Sequence, residues 1–215
     1  MGSYPNIIYK LASEIQQCRF CDNKLPLGAN PVLRVGERLS PILIVGQAPG
    51  LRVHKTGLPW NDPSGDKLRS WLNVSREQFY DTRYFTIIPT GFCYPGRDMR
   101  GGDLPPREEC IDLWWSKLLP LTSHFELILL VGRYAQRLFL NEKLPSTLAE
   151  TIRLWKEFYP PAIVCPHPSF RNNLWLKKNK KFMDEVVPFI REQVYLLMQK
   201  VDTENLKFGL KSDIN

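Results

Sequence analysis

Pro41-Ile42-Leu43-Ile44-Val45-Gly46-Gln47-Ala48-Pro49-Gly50 is the stretch on which the fold of this chain turns. Residues 41–45 are apolar throughout and rich in β-branched side chains, with no polar alternation. That pattern predicts a strand buried on both faces, as in a parallel sheet. The strand stops in a Gly/Pro-rich turn that carries one polar side chain, Gln47. The same design recurs near the other end of the chain, where the run 162–165 leads into Pro166-His167-Pro168-Ser169. Further hydrophobic stretches at 84–88 and 125–131 predict two more strands. Helices are predicted over 4–17, 64–72, 106–119, 132–140, 148–158 and 180–198. Strands that alternate with helices imply right-handed crossovers. The expected fold class is therefore α/β, a three-layer α/β/α sandwich around a central, mainly parallel four-stranded sheet. A single domain is expected over residues 1–200, with a frayed tail at 201–215. Polar turns that follow such strands project from the carboxyl edge of the sheet, where ligands bind. Residues 51–63 and 90–105 read as long loops, and loops beyond about 12 residues in a compact domain are usually functional.

The chain has 215 residues and a net charge of +7. A positive excess favours polyanionic partners, nucleic acid above all. Its distribution is more telling. Arg171, Lys177, Lys178, Lys180 and Lys181 fall within eleven residues that contain no Asp or Glu, directly after His167-Pro168-Ser169. That position favours contact with phosphates over a merely solvated helix face. No apolar run approaches the ~20 residues of a membrane span, so no membrane partner is expected. Residues 1–10 lack the basic and apolar regions of a secretory signal. The expected setting is the cytoplasm, and the expected state a monomer. In a reducing compartment the five cysteines are thiols or metal ligands rather than disulfides.

The first motif extends into Lys55-Thr56-Gly57-Leu58-Pro59-Trp60-Asn61-Asp62-Pro63-Ser64-Gly65. This stretch is similar to the R-T-G-x-P-F-x-G-D-x-S-G segment of the family 5 (type B) uracil-DNA glycosylases, and to the G-x-P-F segment of family 4. His167-Pro168-Ser169-Phe170-Arg171-Asn172 resembles the H-P-S-x-Q-N motif of family 5. Residues 46–50 fit the superfamily motif G-x-x-P-G/A/Y. Together these motifs, spread over most of residues 18–175, resemble the uracil-DNA glycosylase superfamily. The resemblance implies a DNA glycosylase of base excision repair. Such an enzyme hydrolyses the N-glycosidic bond of uracil or another deaminated base in DNA and leaves an abasic site.

That chemistry develops positive charge on the sugar and negative charge on the departing base. A carboxylate near the sugar can stabilise the cation and hold water. The resemblance assigns this role to Asp62, although Asp62-Pro63 ahead of a helix is also a good N-cap with proline at the first helical position. A donor at the base oxygen stabilises the leaving anion. His167, rigidly placed between Pro166 and Pro168, is the candidate; its alternative is a histidine satisfied within a turn. Gln47, Trp60 and Ser169 are the candidate substrate-binding residues. Trp60 stands where an aromatic ring would stack on an extruded base, or it packs in the core. Phe170 and Arg171 are candidate wedge residues. With Lys177, Lys178, Lys180 and Lys181 they make up the expected DNA-binding surface.

Cys18 and Cys21 form a C-x2-C pair, and Cys93 and Cys110 lie far downstream. By themselves they read as an iron-sulfur site, a tetrahedral zinc site or four reduced thiols. The layout is similar to that of families 4 and 5, which hold a [4Fe-4S] cluster. Cys93-Tyr94-Pro95-Gly96-Arg97 resembles their C-x-P-P-x-N/R, and Glu108-Glu109-Cys110 their E-x-x-C. A structural cluster on Cys18, Cys21, Cys93 and Cys110 is what the resemblance implies. Cys165 is expected as a core thiol.

Two positions depart from the family pattern. Ala48 stands where family 1 carries its catalytic Asp, and Pro89 where family 4 reads uracil with an Asn. Proline offers no side-chain hydrogen bond, which points to a broader set of bases. Two other classes of function remain open at this level: a damage-sensing module that kept the cleft without catalysis, and a hydrolase of free nucleosides. The positive charge argues against the latter.

Overall fold

The structure is a computed structural model that describes residues 7–99 and 101–212, with side chains described as far as residue 206. Four strands form one sheet in the order β2-β1-β3-β4, where β1 is Ile42–Val45, β2 Phe85–Ile87, β3 Leu127–Val131 and β4 Ala162–Cys165. All pairings are parallel, with Ile44 opposite Ile87 on one side and Leu129 on the other, and Leu130 opposite Val164. Every residue of the four strands is buried. This is the physical meaning of the missing alternation: both faces of the sheet are covered, so no strand position tolerates a charge.

The covering helices are α1 (Ile7–Gln16), α2 (Leu51–Thr56), α3 (Pro63–Leu72), α4 (Arg76–Tyr80), α5 (Glu108–Cys110), α6 (Ser116–Leu118), α7 (Arg133–Leu140), α8 (Leu148–Arg153), α9 (Asn173–Lys178) and α10 (Val187–Ser212). α1 turns Ile8, Leu11, Ala12 and Ile15 to the core, the stripe its sequence spacing requires. A π turn over Ile111–Trp115 joins α5 to α6 and places Trp114 and Trp115 inside. The Trp115 indole N–H donates to the carbonyl oxygens of Pro89 and Thr90 at 3.2 and 3.0 Å, fixing the end of β2.

Three expectations need correction. Residues 51–63 are not loop throughout, because α2 fills their first half and ends on Gly57 in the left-handed conformation. α4 was not expected, although Ser75 and Gln78 form a reciprocal capping box at its start. Of the expected frayed tail at 201–215, residues 213–215 lie outside the described residues, and the part as far as Ser212 is helical. Its first turn is tethered: the Tyr84 hydroxyl donates to Asp202 Oδ1 at 2.6 Å, and Lys200 pairs with Glu126 at 2.8 Å. The expected residues 4–6 of the first helix lie outside the described residues.

Because the four strands run the same way, their carboxyl ends share one edge. Gly46, Gly132 and Pro166 follow β1, β3 and β4 directly, and the candidate site stands on this edge.

Candidate active site

Asp62 occupies the N-cap of α3. Its Oδ1 accepts from the Gly65 amide at 2.8 Å, with Pro63 at the first helical position. The capping reading is therefore correct. It does not exhaust the carboxylate, because Oδ2 accepts no hydrogen bond among the described residues. The charge of Asp62 also acts on His167, which places both groups in one electrostatic neighbourhood.

Trp60 links them. Its backbone lies in the left-handed region, φ 58°, which costs a bulky residue roughly 1–2 kcal/mol. The surroundings impose this conformation. The Arg69 guanidinium, buried at 6 % exposure, donates to the Trp60 carbonyl oxygen at 3.2 Å, and the Tyr80 hydroxyl donates to that of Pro59 at 2.8 Å. Two glycines leave room for the tryptophan. A methyl group on Gly65 would stand 1.7 Å from the Trp60 carbonyl oxygen, and one on Gly46 would stand 2.7 Å from Cζ2 of its ring. The ring is half-buried, and its centroid lies 5.7 Å from that of His167 at an interplanar angle of 32°.

His167 follows β4 and rests on the end of β3. Gly132 has φ +88°, and a methyl group there would approach His167 Cβ at 3.3 Å and Cδ2 at 3.4 Å. The Ser169 amide donates to His167 Nδ1 at 3.2 Å, and the Asn172 side-chain amide donates to the His167 carbonyl oxygen at 2.8 Å. Burial pushes the imidazole pKa down to about 4, against the opposite pull of the Asp62 charge. The ring is therefore neutral at pH 7. With Nδ1 accepting, its proton sits on Nε2, and it is a hydrogen-bond donor rather than an acid.

Gln47 is half-buried at the first turn, and its side-chain amide makes no hydrogen bond to the described residues. Its carbonyl oxygen accepts from the Gly91 amide at 2.8 Å. The Thr90 hydroxyl donates to the Gly46 carbonyl oxygen at 2.6 Å. Pro89 is buried, with its carbonyl oxygen turned to Trp115.

A family model of the uracil DNA glycosylase superfamily matches residues 33–191. This chain belongs to that superfamily. The matched span contains Gln47, Trp60, Asp62, His167 and Ser169, together with the whole sheet. It also contains Cys93 and Cys110, whereas Cys18 and Cys21 lie before it.

The structure divides the basic run that the sequence groups together. Phe170 is exposed (77 %) beside His167. Arg171 stacks over Phe170 at 5.8 Å and donates to the Gly101 carbonyl oxygen at 3.2 Å. It thereby ties the motif turn to the segment beside the antiparallel bridge between Arg97 and Asp103. Asp103, missed in the sequence, sits at that bridge between Arg97 and the first motif. A methyl group on Gly50 would stand 3.3 Å from its Oδ2, and burial raises its pKa. Lys178, Lys180 and Lys181 instead line an open cleft with Glu150 and Arg153 at the end of α8. Lys177 is exposed and lines neither place.

Cys18, Cys21, Cys93 and Cys110 line one small cavity whose other walls include Phe20, Leu25, Phe92, Leu113 and Trp114. All are free thiols. Burial pushes Cys93 up to about 11 and Cys110 to about 12, so thiolates there call for a cationic partner. Among the described residues no three His, Cys, Asp or Glu side chains are grouped to hold a single metal ion. The Arg107 Nε also faces no partner although it is shut off from solvent. Four thiols on one apolar cavity, with an orphaned cationic donor beside them, fit a sulfur-ligated cluster by the chemistry of the donor set. Cys165 is fully buried in β4, as expected of a core thiol.

Proposed function

We propose that the protein is a monofunctional DNA glycosylase that releases deaminated bases from DNA. The observation that carries this reading is the Asp62–Trp60–His167 grouping on one sheet edge, with His167 held neutral. In the proposed reaction the extruded base stacks on Trp60. Water attacks C1′ of the deoxyribose, the C1′–N bond breaks, and its electron pair leaves on the base. His167 Nε2–H stabilises the developing anion at the base oxygen, an effect typically worth about 10²–10³ in rate. Asp62 Oδ2 orients the water, stabilises the cationic sugar and takes up the proton. The products are the free base and an abasic site. No step uses an amine nucleophile, so strand cleavage is not part of the reaction.

Gln47 is the side-chain amide free to face the base. An amide offers both a donor and an acceptor and can turn over. With proline at position 89 this supports a range of bases, namely uracil, hypoxanthine and xanthine. Phe170 is the proposed wedge, and Arg171 with the lysine cleft holds phosphates. Cys18, Cys21, Cys93 and Cys110 are the proposed ligands of a [4Fe-4S] cluster. Its role would be structural, joining the N-terminal segment to the loop after β2.

The bond between Asp62 and Gly65, together with Ala48, favours a second reading, in which the protein senses damage without excising it. Single-turnover reactions on duplexes carrying uracil, hypoxanthine or xanthine decide between them. Base release that drops at least about 10²-fold in His167→Ala supports the enzyme. Selective binding of a damaged duplex with no free base released supports the sensor.

A further inference from the structure

We propose that Arg107 sets the reduction potential of the cluster by donating its Nε–H to a ligand sulfur, making it a positioning and tuning residue rather than a passive surface arginine. This inference rests on the cluster reading given above. Arg107 lines the four-cysteine cavity. Its Nε is removed from solvent and completes no hydrogen bond of good geometry among the described residues, while the guanidinium lies within hydrogen-bonding range of the Cys21 thiol. A buried N–H on a charged group is costly to leave unpaired, so the native site is expected to supply an acceptor. The Arg107 Nη2 donates to Glu109 Oε1 at 2.6 Å, and Lys24 donates to the same oxygen at 3.2 Å. Glu109 therefore ties the helix that carries Cys110 to the turn that carries Cys21. The neighbours that act on the Arg107 charge are Glu109 first and the Cys21 side chain second, each also as a hydrogen-bond partner. The rest of the cavity wall is mainly apolar, so sulfur is the acceptor at hand.

A fixed cation and donor at sulfur favours the more negative, reduced cluster. Hydrogen bonds to the sulfurs are among the terms that set such potentials. The arrangement also implies slower loss of iron, because the donor neutralises thiolate charge in a poorly solvated place.

The test uses the full chain, purified anaerobically, as wild type, Arg107→Lys and Arg107→Met. Iron content is read first, then the reduction potential by mediated titration, then the rate of iron loss to a chelator. The expected result is a reduced-to-oxidised ratio at fixed potential about tenfold lower in Arg107→Met, or ~59 mV for a one-electron couple, with faster iron loss. Arg107→Lys keeps the charge but has no donor at Nε, and is expected to lie on the same side of wild type. Should Arg107→Met fail to hold iron, the lysine variant carries the measurement. Wild-type protein without iron overturns the cluster reading and this inference together. An iron-loaded wild type whose potential is unmoved in either variant overturns the inference alone. A lysine variant that matches wild type while the methionine variant shifts leaves only bare charge, and the Nε assignment falls.

Discussion

The backbone amide of Ser169 donates to Nδ1 of His167 across two residues at 3.2 Å. A protonated Nδ1 could not accept that bond, so the motif turn itself selects the Nε2–H tautomer. Nitrogen NMR of the labelled imidazole is expected to show this tautomer at neutral pH. No change to the cation is expected until pH approaches about 4.

The same depressed pKa makes a prediction about stability. Between about 6.5 and 4 the unfolded chain takes up a proton at this histidine while the folded chain does not. The contribution of His167 is thus fully present above pH 6.5 and is lost as pH falls towards 4. Below that pH this group causes no further loss. Urea unfolding at a series of pH values is expected to show the decline in wild type and a flatter curve in His167→Gln. Identical pH dependence in the two proteins would falsify the assignment.

Asp62 combines a cap with a proposed catalytic carboxylate, and the two roles can be separated. Asp62→Ser keeps an oxygen for the Gly65 amide, so stability is expected within about 0.5 kcal/mol of wild type. Asp62→Ala loses the cap and is expected to cost about 1 kcal/mol. Both variants are expected to release base at least about 10²-fold more slowly in single-turnover reactions. A serine variant with wild-type rate means that the aspartate only caps the helix.

The close approach of Gly46 to Trp60 predicts a rescue. Gly46→Ala places a methyl group against the outer edge of the indole, and is expected to weaken binding to a duplex carrying an extrudable base. Adding Trp60→Phe removes the ring atoms in the clash and is expected to restore much of that binding. Strict additivity of the two losses, in a double-mutant cycle, means that the methyl group acts elsewhere. Gly65→Ala meets the Trp60 carbonyl oxygen instead, and is expected to destabilise the fold whatever stands at position 60.

The divided basic run also makes a prediction. Replacing Lys178, Lys180 and Lys181 by Ala together is expected to weaken binding of all duplexes alike. The salt slope is expected to fall by ~0.9 for each phosphate that is no longer neutralised. Phe170→Ala is expected to leave the slope unchanged and slow base extrusion. If the triple variant binds with wild-type affinity and slope, the cleft beside α8 lies off the DNA path.

What the sequence determined was local and periodic. Hydrophobic stretches located all four strands, broken only by Thr86, which is buried in β2, and by Glu126, which stands just before β3. Asp-Pro announced the start of α3, and the Gly/Pro-rich turns marked where the sheet edge carries polar groups. The short helices α2 and α4 were less legible, since five or six residues hold too little periodicity to stand out from a loop. The helical continuation past residue 200 was hidden too, because it depends on bonds from Asp202 and Lys200 to distant residues. Only the tertiary structure decided which side chains meet: Trp60 with His167 over two accommodating glycines, Asp103 with the first motif, Arg107 with the four cysteines, and the lysines with α8 rather than with His167. Each of these meetings joins residues far apart in the chain, through the packing of parallel strands whose order, β2-β1-β3-β4, is not the order of the sequence.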